Sequence, residues 1–200
     1  MPTTGSVVYE LQQQVAKAAK QMAKDGLASG SFGNVSAANR EHNLLAITPS
    51  GVVYDEMEAE DICIVQLDGT VVEGYTNRYR PSSELPMHCA IYEARADVNA
   101  IVHTHSPYCT AYASAGKPLG PVIAELARDT AKALTQANGC LLANYGAVAV
   151  ADVMSRAYML AQILEDGAKA ATLAGQIGAV EYIPPQDCAA LYEKMKGYGR

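Results

Sequence analysis

Short apolar segments joined by tight turns constrain the fold of this chain more than any other feature of its sequence. Asp68 and Gly69, a dipeptide typical of two-residue hairpin loops, separate the apolar segments 62–67 and 70–72. A second turn, at residues 144–146, separates two more such segments. Strands joined by turns this short pair antiparallel, because a parallel pair needs a crossover of a dozen residues or more. The sequence therefore predicts a mainly antiparallel sheet.

Helical periodicity marks much of the remaining sequence. Over residues 7–24, apolar side chains recur at steps of three and four, the spacing of one buried helix face. Ser82 or Ser83, and later Asp152, stand where a helix cap is expected. The predicted helices cover residues 7–24, 81–96, a segment from 106, 122–137, 152–174 and 187–196. The predicted strands cover residues 44–48, 62–67, 70–72, 99–104, 140–143 and 147–150, and residues 29–36 are predicted to form a loop rich in glycine, serine and asparagine.

The order of these elements indicates the fold class. Helices and strands are mixed without a regular alternation, and hairpins are present, which argues for an α/β or α+β layered fold around a mainly antiparallel sheet. No internal repeat, low-complexity tract or linker interrupts the 200 residues, a length typical of one domain. We therefore predict a single domain over residues 1–200.

The composition narrows the class of protein. A hydrophobic share of 50%, a charged share of 18% and a net charge of −6 are typical of a soluble globular protein. There is no basic cluster that would bind nucleic acid, and no apolar run long enough for a membrane span. The five cysteines are widely spaced and form no CxxC pair, which is typical of buried thiols in a reducing compartment. A cytoplasmic location is therefore expected.

Two histidines, His103 and His105, give the sharpest chemical signal. They stand at positions i and i+2 at the end of a predicted strand, so both side chains project to the same face. Neutral imidazole is a strong ligand for zinc and similar divalent metals. The spacing alone leaves open a structural pair satisfied by neighbouring groups. The sequence has four histidines in all, and two of them on one face favour a metal site.

Three segments have features of an anion-binding site. Residues 81–84, Pro-Ser-Ser-Glu, bring two hydroxyls to the start of a predicted helix, where free N–H groups and the helix dipole attract anions. The loop at 30–34 and the turn at 48–51 contain the glycine and small polar residues of a phosphate cradle. Each segment alone is more typical of an ordinary turn or helix start. Together they indicate phosphate binding.

Several motifs in one order resemble the class II aldolase/adducin family, and most of all its members that cleave L-fuculose 1-phosphate. The resemblance covers nearly the whole chain, and a set of motifs in register is more specific than any one of them. It implies a three-layer α/β/α fold around a mainly antiparallel central sheet. The matching segments are residues 33–36, 47–51 with Tyr54, 81–84 with His88, 99–105, 109–111 and 193–199.

The resemblance also implies roles for individual residues. Glu84 matches the catalytic carboxylate of the family, which removes or returns a proton at the carbon next to the carbonyl. His103 and His105 match two of three ligands of a divalent metal, for which Zn²⁺ is expected. Tyr198 matches a catalytic tyrosine that comes from a neighbouring subunit. The family's contacts to the substrate phosphate match Asn34, Ser50, Gly51, Ser82 and Ser83.

The implied reaction is a lyase reaction on a sugar phosphate. A ketose 1-phosphate, such as L-fuculose 1-phosphate, would be cleaved to dihydroxyacetone phosphate and an aldehyde through a metal-stabilised enediolate. In this reaction the metal is a Lewis acid and Glu84 is the acid–base group. Because the family assembles as cyclic tetramers with active sites between subunits, the resemblance implies a homotetramer.

Two departures from the family pattern leave alternatives open. Tyr145 stands directly before Gly146, where the family has its third metal histidine. Between Ala115 and Glu125 the chain is shorter than the family pattern, in a stretch that normally carries a second catalytic tyrosine. These departures favour a non-catalytic, adducin-like binding or assembly module, or a related sugar-phosphate epimerase, dehydratase or decarboxylase. The intact phosphate motifs and Glu84 favour an enzyme.

Overall fold

A six-stranded sheet forms the centre of the protein. The computed structural model describes residues 4–120, 138–184, 186–188 and 190–191. The strands are β1 (Asn34–Asn39), β2 (Leu44–Ile47), β3 (Cys63–Val65), β4 (Ala100–Thr104), β5 (Gly139–Leu142) and β6 (Gly146–Ala151). They lie in the order β3-β2-β1-β4-β6-β5, and all neighbours among these six are antiparallel. The predicted antiparallel sheet is therefore confirmed.

The helices that cover this sheet are α1 (Thr4–Lys24), α2 (Leu85–Ala94), α3 (Pro107–Ser114) and α4 (Met154–Ile177). None of the helices in the described segments has the length and apolarity needed to cross a membrane. The helix predicted over residues 122–137 lies outside the described residues. Of the last predicted helix, residues 187, 188, 190 and 191 are helical, and its remaining positions also lie outside the described residues.

The two faces of the sheet are covered by different helices, which produces three layers. On one face, α1, α3 and α4 pack on alternate strand residues, since side chains along a strand point to opposite faces with a period of two. On the other face, α2 contributes Tyr92 to a smaller apolar cluster. The strand residues in that smaller cluster are Leu45, Val65, Ile101, Val148 and Val150. This arrangement is the α/β/α architecture expected from the resemblance.

The prediction of a loop over residues 29–36 is wrong at its C-terminal end, because β1 begins at Asn34. This strand lies in the middle of the sheet. Val35 belongs to the core cluster on the α1 face, as in an ordinary strand. Asn34 and Ser36 point to the opposite face, where both are buried against α2. Polar side chains at these positions break the apolar alternation by which a strand is recognised in a sequence.

The predicted helix caps are also wrong. Glu84, and neither Ser82 nor Ser83, is the residue at the N-cap position of α2. The Ser82 hydroxyl instead accepts a hydrogen bond from the Glu84 N–H at 3.2 Å. Val153 stands at the N-cap position of α4, and the Asp152 carboxylate forms an ion pair with Arg156 instead.

The turn at Asp68 and Gly69 forms as predicted, but the strand predicted over residues 70–72 does not. Within this described segment, a single bridge joins Val65 to Val71. Val71 is 71% exposed, so its side chain has no apolar layer to pack against. Without such a layer a second strand gains little from pairing at this edge of the sheet.

The prediction that the cysteine thiols are buried is confirmed at three of the five positions. Cys63, Cys109 and Cys188 are buried, and Cys89 is half-buried. Cys140 is exposed, so the prediction is wrong there. All five thiols are free.

A buried carboxylate fixes the start of α3 directly after His105. Glu165 in α4 accepts hydrogen bonds from the N–H groups of Tyr108 and Cys109, each at 2.9 Å. N–H groups in the first turn of a helix have no partner inside the helix, and a negative charge suits the positive end of the helix dipole. The contact therefore fixes the turn after β4 against α4.

We predict that Gly33→Ala destabilises the fold more than Gly30→Ala does. Gly33 has a φ of +77°, and a Cβ there would lie 2.5 Å from the carbonyl oxygen of His103. Gly30 has a similar φ of +63° but open space around it. The Gly30 variant should lose about 1 kcal/mol of unfolding free energy in urea, the cost of a left-handed backbone. The Gly33 variant should lose about 2–4 kcal/mol because the clash adds to that strain. Equal losses would contradict the close approach.

Candidate active site

The pairing of β1 with β4 brings the predicted site residues together. Asn34 lies directly opposite His103 in this ladder, and both side chains are buried. Glu84 stands at the N-cap of α2, the helix that covers this face of the sheet. His105 follows the last residue of β4. The candidate site therefore lies where two central strands meet the N-terminus of a helix.

Three metal-ligating side chains converge at this point. His103 Nε2 lies 3.1 Å from His105 Nε2 and 3.2 Å from Glu84 Oε2, and the ligand atoms of all three lie within 4.8 Å of one another. A tetrahedral metal with ligands at about 2.0–2.1 Å separates neighbouring ligand atoms by about 3.3 Å. The geometry and the chemistry of these donors therefore fit one divalent cation.

The surroundings of His103 favour the form of imidazole that binds a metal. Burial lowers the pKa of His103, and the nearby Glu84 carboxylate opposes this shift only in part. His103 Nδ1 lies 3.0 Å from the carbonyl oxygen of Ala147, to which it donates as an N–H group. In a neutral ring this leaves Nε2 unprotonated. Its lone pair is then directed toward His105 and Glu84.

Glu84 is held in place and remains accessible. Its Oε2 accepts a hydrogen bond from Asn34 Nδ2 at 2.6 Å, and its backbone N–H is bound by the Ser82 hydroxyl. The Glu84 side chain is 29% exposed, whereas that of His103 is fully buried. A carboxylate in this setting can reach both the buried imidazole and a molecule that enters from solvent.

Backbone pairing joins two of the segments expected to bind phosphate. The Ser82 N–H donates to the carbonyl of Thr48 at 3.0 Å, and the Ser50 N–H donates to the carbonyl of Arg80 at 2.9 Å. Ser50 and Gly51 are exposed on one side of this contact, and Ser83 is exposed on the other. The serine-containing segments thus lie next to each other and next to Glu84.

Asn34 differs from the other residues expected to contact phosphate. Its side chain is buried, and both ends of its amide are engaged. Nδ2 donates to Glu84, and Oδ1 lies 2.5 Å from His88 Nε2. The amide therefore supports Glu84 directly, whether or not it also contacts a substrate.

Two exposed aromatic rings flank His105. The Phe32 ring stacks on the His105 ring with 5.8 Å between centroids, and the Tyr145 ring meets it edge-on at 6.3 Å. Phe32 is 64% exposed and Tyr145 57%. Gly146 has a φ of +81°, and a Cβ there would collide with the Thr104 carbonyl, so the hairpin is packed tightly against the end of β4. Tyr145 therefore lies beside the three converging donors.

Some residues of the site were not found from the sequence, and one predicted residue lies outside the described chain. The Ala147 carbonyl has no sequence signal, since any residue can offer a backbone carbonyl. No sequence pattern marks Phe32 as a residue of the site either. In the sequence, His88 matches a family motif, but the match assigns it no role. The signal that could have identified it is its spacing of four residues from Glu84, which places both on one face of α2. Tyr198 lies outside the described residues.

Comparison with known proteins identifies the family. The sequence profile described as Class II Aldolase and Adducin N-terminal domain matches residues 13–128 and 120–172. The chain belongs to this family. Membership supports an enzyme, and class II aldolases use a divalent metal, which the group of Glu84, His103 and His105 can hold.

Individual members of the class II aldolase family are similar over most or part of the chain. A 5-deoxy-D-ribulose 1-phosphate aldolase from Bacillus thuringiensis serovar kurstaki is 35% identical, covering 94% of this chain and 97% of that protein. The L-ribulose-5-phosphate 4-epimerase UlaF of Salmonella paratyphi B is 46% identical over 109 residues, which cover 54% of this chain and 46% of that protein. A solved L-fuculose 1-phosphate aldolase superposes with a TM-score of 0.85 at 30% identity, covering 98% of both chains.

We predict that the purified protein binds about one divalent cation per chain, because three donors converge on one point. Elemental analysis after equilibration with Zn²⁺ and removal of excess metal measures the occupancy. His105→Ala should lower the occupancy severely. His42→Ala is the matched control, since the His42 ring bonds to Asn39 away from the site. Wild-type occupancy well below one half would contradict the prediction.

We predict that Tyr145→His raises the affinity for Zn²⁺ by about ten-fold or more, because imidazole is a better zinc ligand than a neutral phenol. Competition titration against a chromophoric chelator measures the change. Tyr145→Phe is the control that removes the hydroxyl without adding a donor. If the histidine variant shows no gain, the hairpin at 144–146 does not face the metal.

Proposed function

We propose that this protein is a divalent-metal-dependent aldolase that cleaves a ketose 1-phosphate to dihydroxyacetone phosphate and an aldehyde. The observation that carries the proposal is the convergence of Glu84, His103 and His105 beside the paired serine segments. Two relatives named above act on a 5-deoxypentulose 1-phosphate and on L-fuculose 1-phosphate. Both names support a ketose 1-phosphate with a deoxygenated terminus as the substrate class.

Glu84 is proposed as the acid–base residue. Glu84 takes the proton from the C4 hydroxyl as the C3–C4 bond breaks. The C4 oxygen becomes that of the aldehyde, and the electron pair of the broken bond stays on C3, conjugated with the C2 carbonyl. Glu84 then returns a proton to C3, which completes dihydroxyacetone phosphate. A divalent cation held at His103 and His105 would supply a Lewis acid for the carbonyl oxygen. The partial exposure of Glu84 and its short bond to Asn34 support this role.

The phosphate is proposed to bind where the two serine segments meet. Ser50 and Gly51 would contribute from the turn after β2, and Ser82 and Ser83 from the chain that leads into α2. Hydroxyls and the positive end of a helix dipole suit a dianion. With the phosphate held there, the reacting end of the substrate would need to move little to reach Glu84.

Several further features belong to the same proposal. Zn²⁺ is the proposed metal and a homotetramer the proposed assembly, with Tyr198 reaching the site of a neighbouring subunit. Residues 1–200 are proposed to act as one domain, and the cytoplasm as its location. These features follow from the resemblance and the composition.

An epimerase acting on a ketose 5-phosphate is the second candidate. It is favoured by the identity of 46% over 109 residues to the L-ribulose-5-phosphate 4-epimerase UlaF. That similarity covers 46% of the epimerase, whereas the aldolase relative is matched over 97% of its length. The aldolase is therefore the preferred assignment.

We predict that metal-replete protein releases dihydroxyacetone phosphate from at least one member of a panel of ketose 1-phosphates, measured with a coupled reductase. Glu84→Gln should lower kcat by about 10²-fold or more because the amide cannot transfer the proton. Dihydroxyacetone phosphate should still bind to this variant within a few-fold of wild type. Glu73→Gln, an exposed carboxylate elsewhere, is the control.

Ketose 5-phosphates in the same panel distinguish the two candidate functions. Interconversion of their C4 epimers without release of dihydroxyacetone phosphate would replace the aldolase by the epimerase. No turnover on either substrate class would overturn the proposed function, and unchanged kinetics in Glu84→Gln would overturn the assignment of Glu84.

A further inference from the structure

We propose that Tyr92, Ser36 and His88 are positioning residues that act through Asn34 to aim the Glu84 carboxylate. Together with Asn34 they form a buried chain of hydrogen bonds, here called the Tyr92–Asn34 chain, whose donors all point toward Glu84. Its effect on turnover rests on the proposed function. Its hydrogen-bond directions do not.

The Tyr92–Asn34 chain is continuous between β1 and α2. The Tyr92 hydroxyl lies 2.8 Å from Ser36 Oγ, which lies 2.6 Å from His88 Nδ1. His88 Nε2 lies 2.5 Å from Asn34 Oδ1, and Asn34 Nδ2 lies 2.6 Å from Glu84 Oε2. Asn34 and Ser36 share one face of β1, and Glu84, His88 and Tyr92 recur every four residues along α2. The chain therefore follows from two regular spacings.

These groups are shielded from water, so each depends on its partner in the chain. Ser36 and His88 are fully buried, Tyr92 is 1% exposed and Asn34 is 3% exposed. Burial, reinforced by the nearby His103, lowers the pKa of His88 to about 3. His88 is therefore neutral near pH 7, with one ring nitrogen as donor and the other as acceptor.

The direction of hydrogen-bond donation along the Tyr92–Asn34 chain follows from its last bond, which joins Asn34 to Glu84. Asn34 Nδ2 donates to Glu84 Oε2, so the amide oxygen of Asn34, which can only accept, faces His88. His88 Nε2 must then carry the proton, and its Nδ1 must accept from the Ser36 hydroxyl. The Ser36 oxygen in turn accepts from the Tyr92 hydroxyl. The His88 tautomer thus fixes the orientation of the Asn34 amide.

The far end of the chain is anchored by Arg40. Its Nη2 donates to the carbonyls of Tyr92, Arg95 and Val98 at 3.0, 2.8 and 2.8 Å, around the C-terminus of α2. Its guanidinium also lies 5.9 Å from the centroid of the Tyr92 ring. The helix that carries Glu84, His88 and Tyr92 is therefore held at its end against β1.

Loss of His88 would leave the Asn34 amide free to rotate. A reversed amide would set its carbonyl oxygen against the Glu84 carboxylate, and the repulsion would turn Glu84 away from its position. Hydrogen bonds to charged groups are stronger than those between neutral groups. The bond from Asn34 to Glu84 should therefore contribute most to the position of the carboxylate. The expected consequence is a loss in kcat rather than in substrate binding.

Matched substitutions test the chain. His88→Leu removes both hydrogen bonds of the ring and should lower kcat about ten-fold or more, with KM within about three-fold of wild type. His88→Gln keeps one donor and one acceptor and should recover most of the loss. Ser36→Ala and Tyr92→Phe interrupt the chain further from Glu84 and should give smaller losses in kcat. Tyr75→Phe, which removes a hydroxyl bonded to Gln12 outside the site, should leave kcat unchanged.

A measurement on the wild-type protein tests the chain without any assay. Long-range ¹H–¹⁵N correlation spectra, assigned with His88→Gln, should show His88 as the neutral tautomer protonated at Nε2. A ring protonated at Nδ1, or a cationic ring at pH 7, would overturn the proposal, as would wild-type kcat in His88→Leu. If the wild type cleaves no sugar phosphate, the proposed function fails, and the tautomer of His88 still decides whether the chain exists.

Discussion

The antiparallel pairing of β1 with β4 is the interaction on which the rest of the site depends. It sets Asn34 opposite His103, and the close approach at Gly33 leaves no room for a side chain between the two strands. Because residues two apart share a face, the same pairing directs Ser36 toward α2. A shift of one residue in this register would turn every one of these groups to the other side of the sheet.

The sequence predicted most of the sheet and the metal-ligating residues, because these have short-range signals. His103 and His105 are two residues apart on one strand, and the turn around Tyr145 is bounded by apolar segments. β1 was missed for a physical reason. Asn34 and Ser36 are buried through hydrogen bonds to residues about fifty positions away, and a search for apolar periodicity cannot detect such partners. The predicted role of Tyr198 cannot be compared with the structure in the same way, because this residue lies outside the described ones.

The candidate metal site combines two imidazoles with a carboxylate that is also the proposed acid–base group. Here Tyr145 stands beside His105 where another imidazole is expected, and Glu84 lies within ligand distance of His103. Glu84 would therefore serve both as a ligand of a divalent cation and as the proposed acid–base group.

The contact of Glu165 with the start of α3 has a consequence for how this sequence can vary. Three residues separate His105 from Cys109, and the N–H groups at both Tyr108 and Cys109 are bound by one carboxylate from α4. An insertion in this short stretch would detach the histidine from its anchor. Beyond Ser114, where α3 ends, a change in the length of the chain would leave this tether and His105 in place.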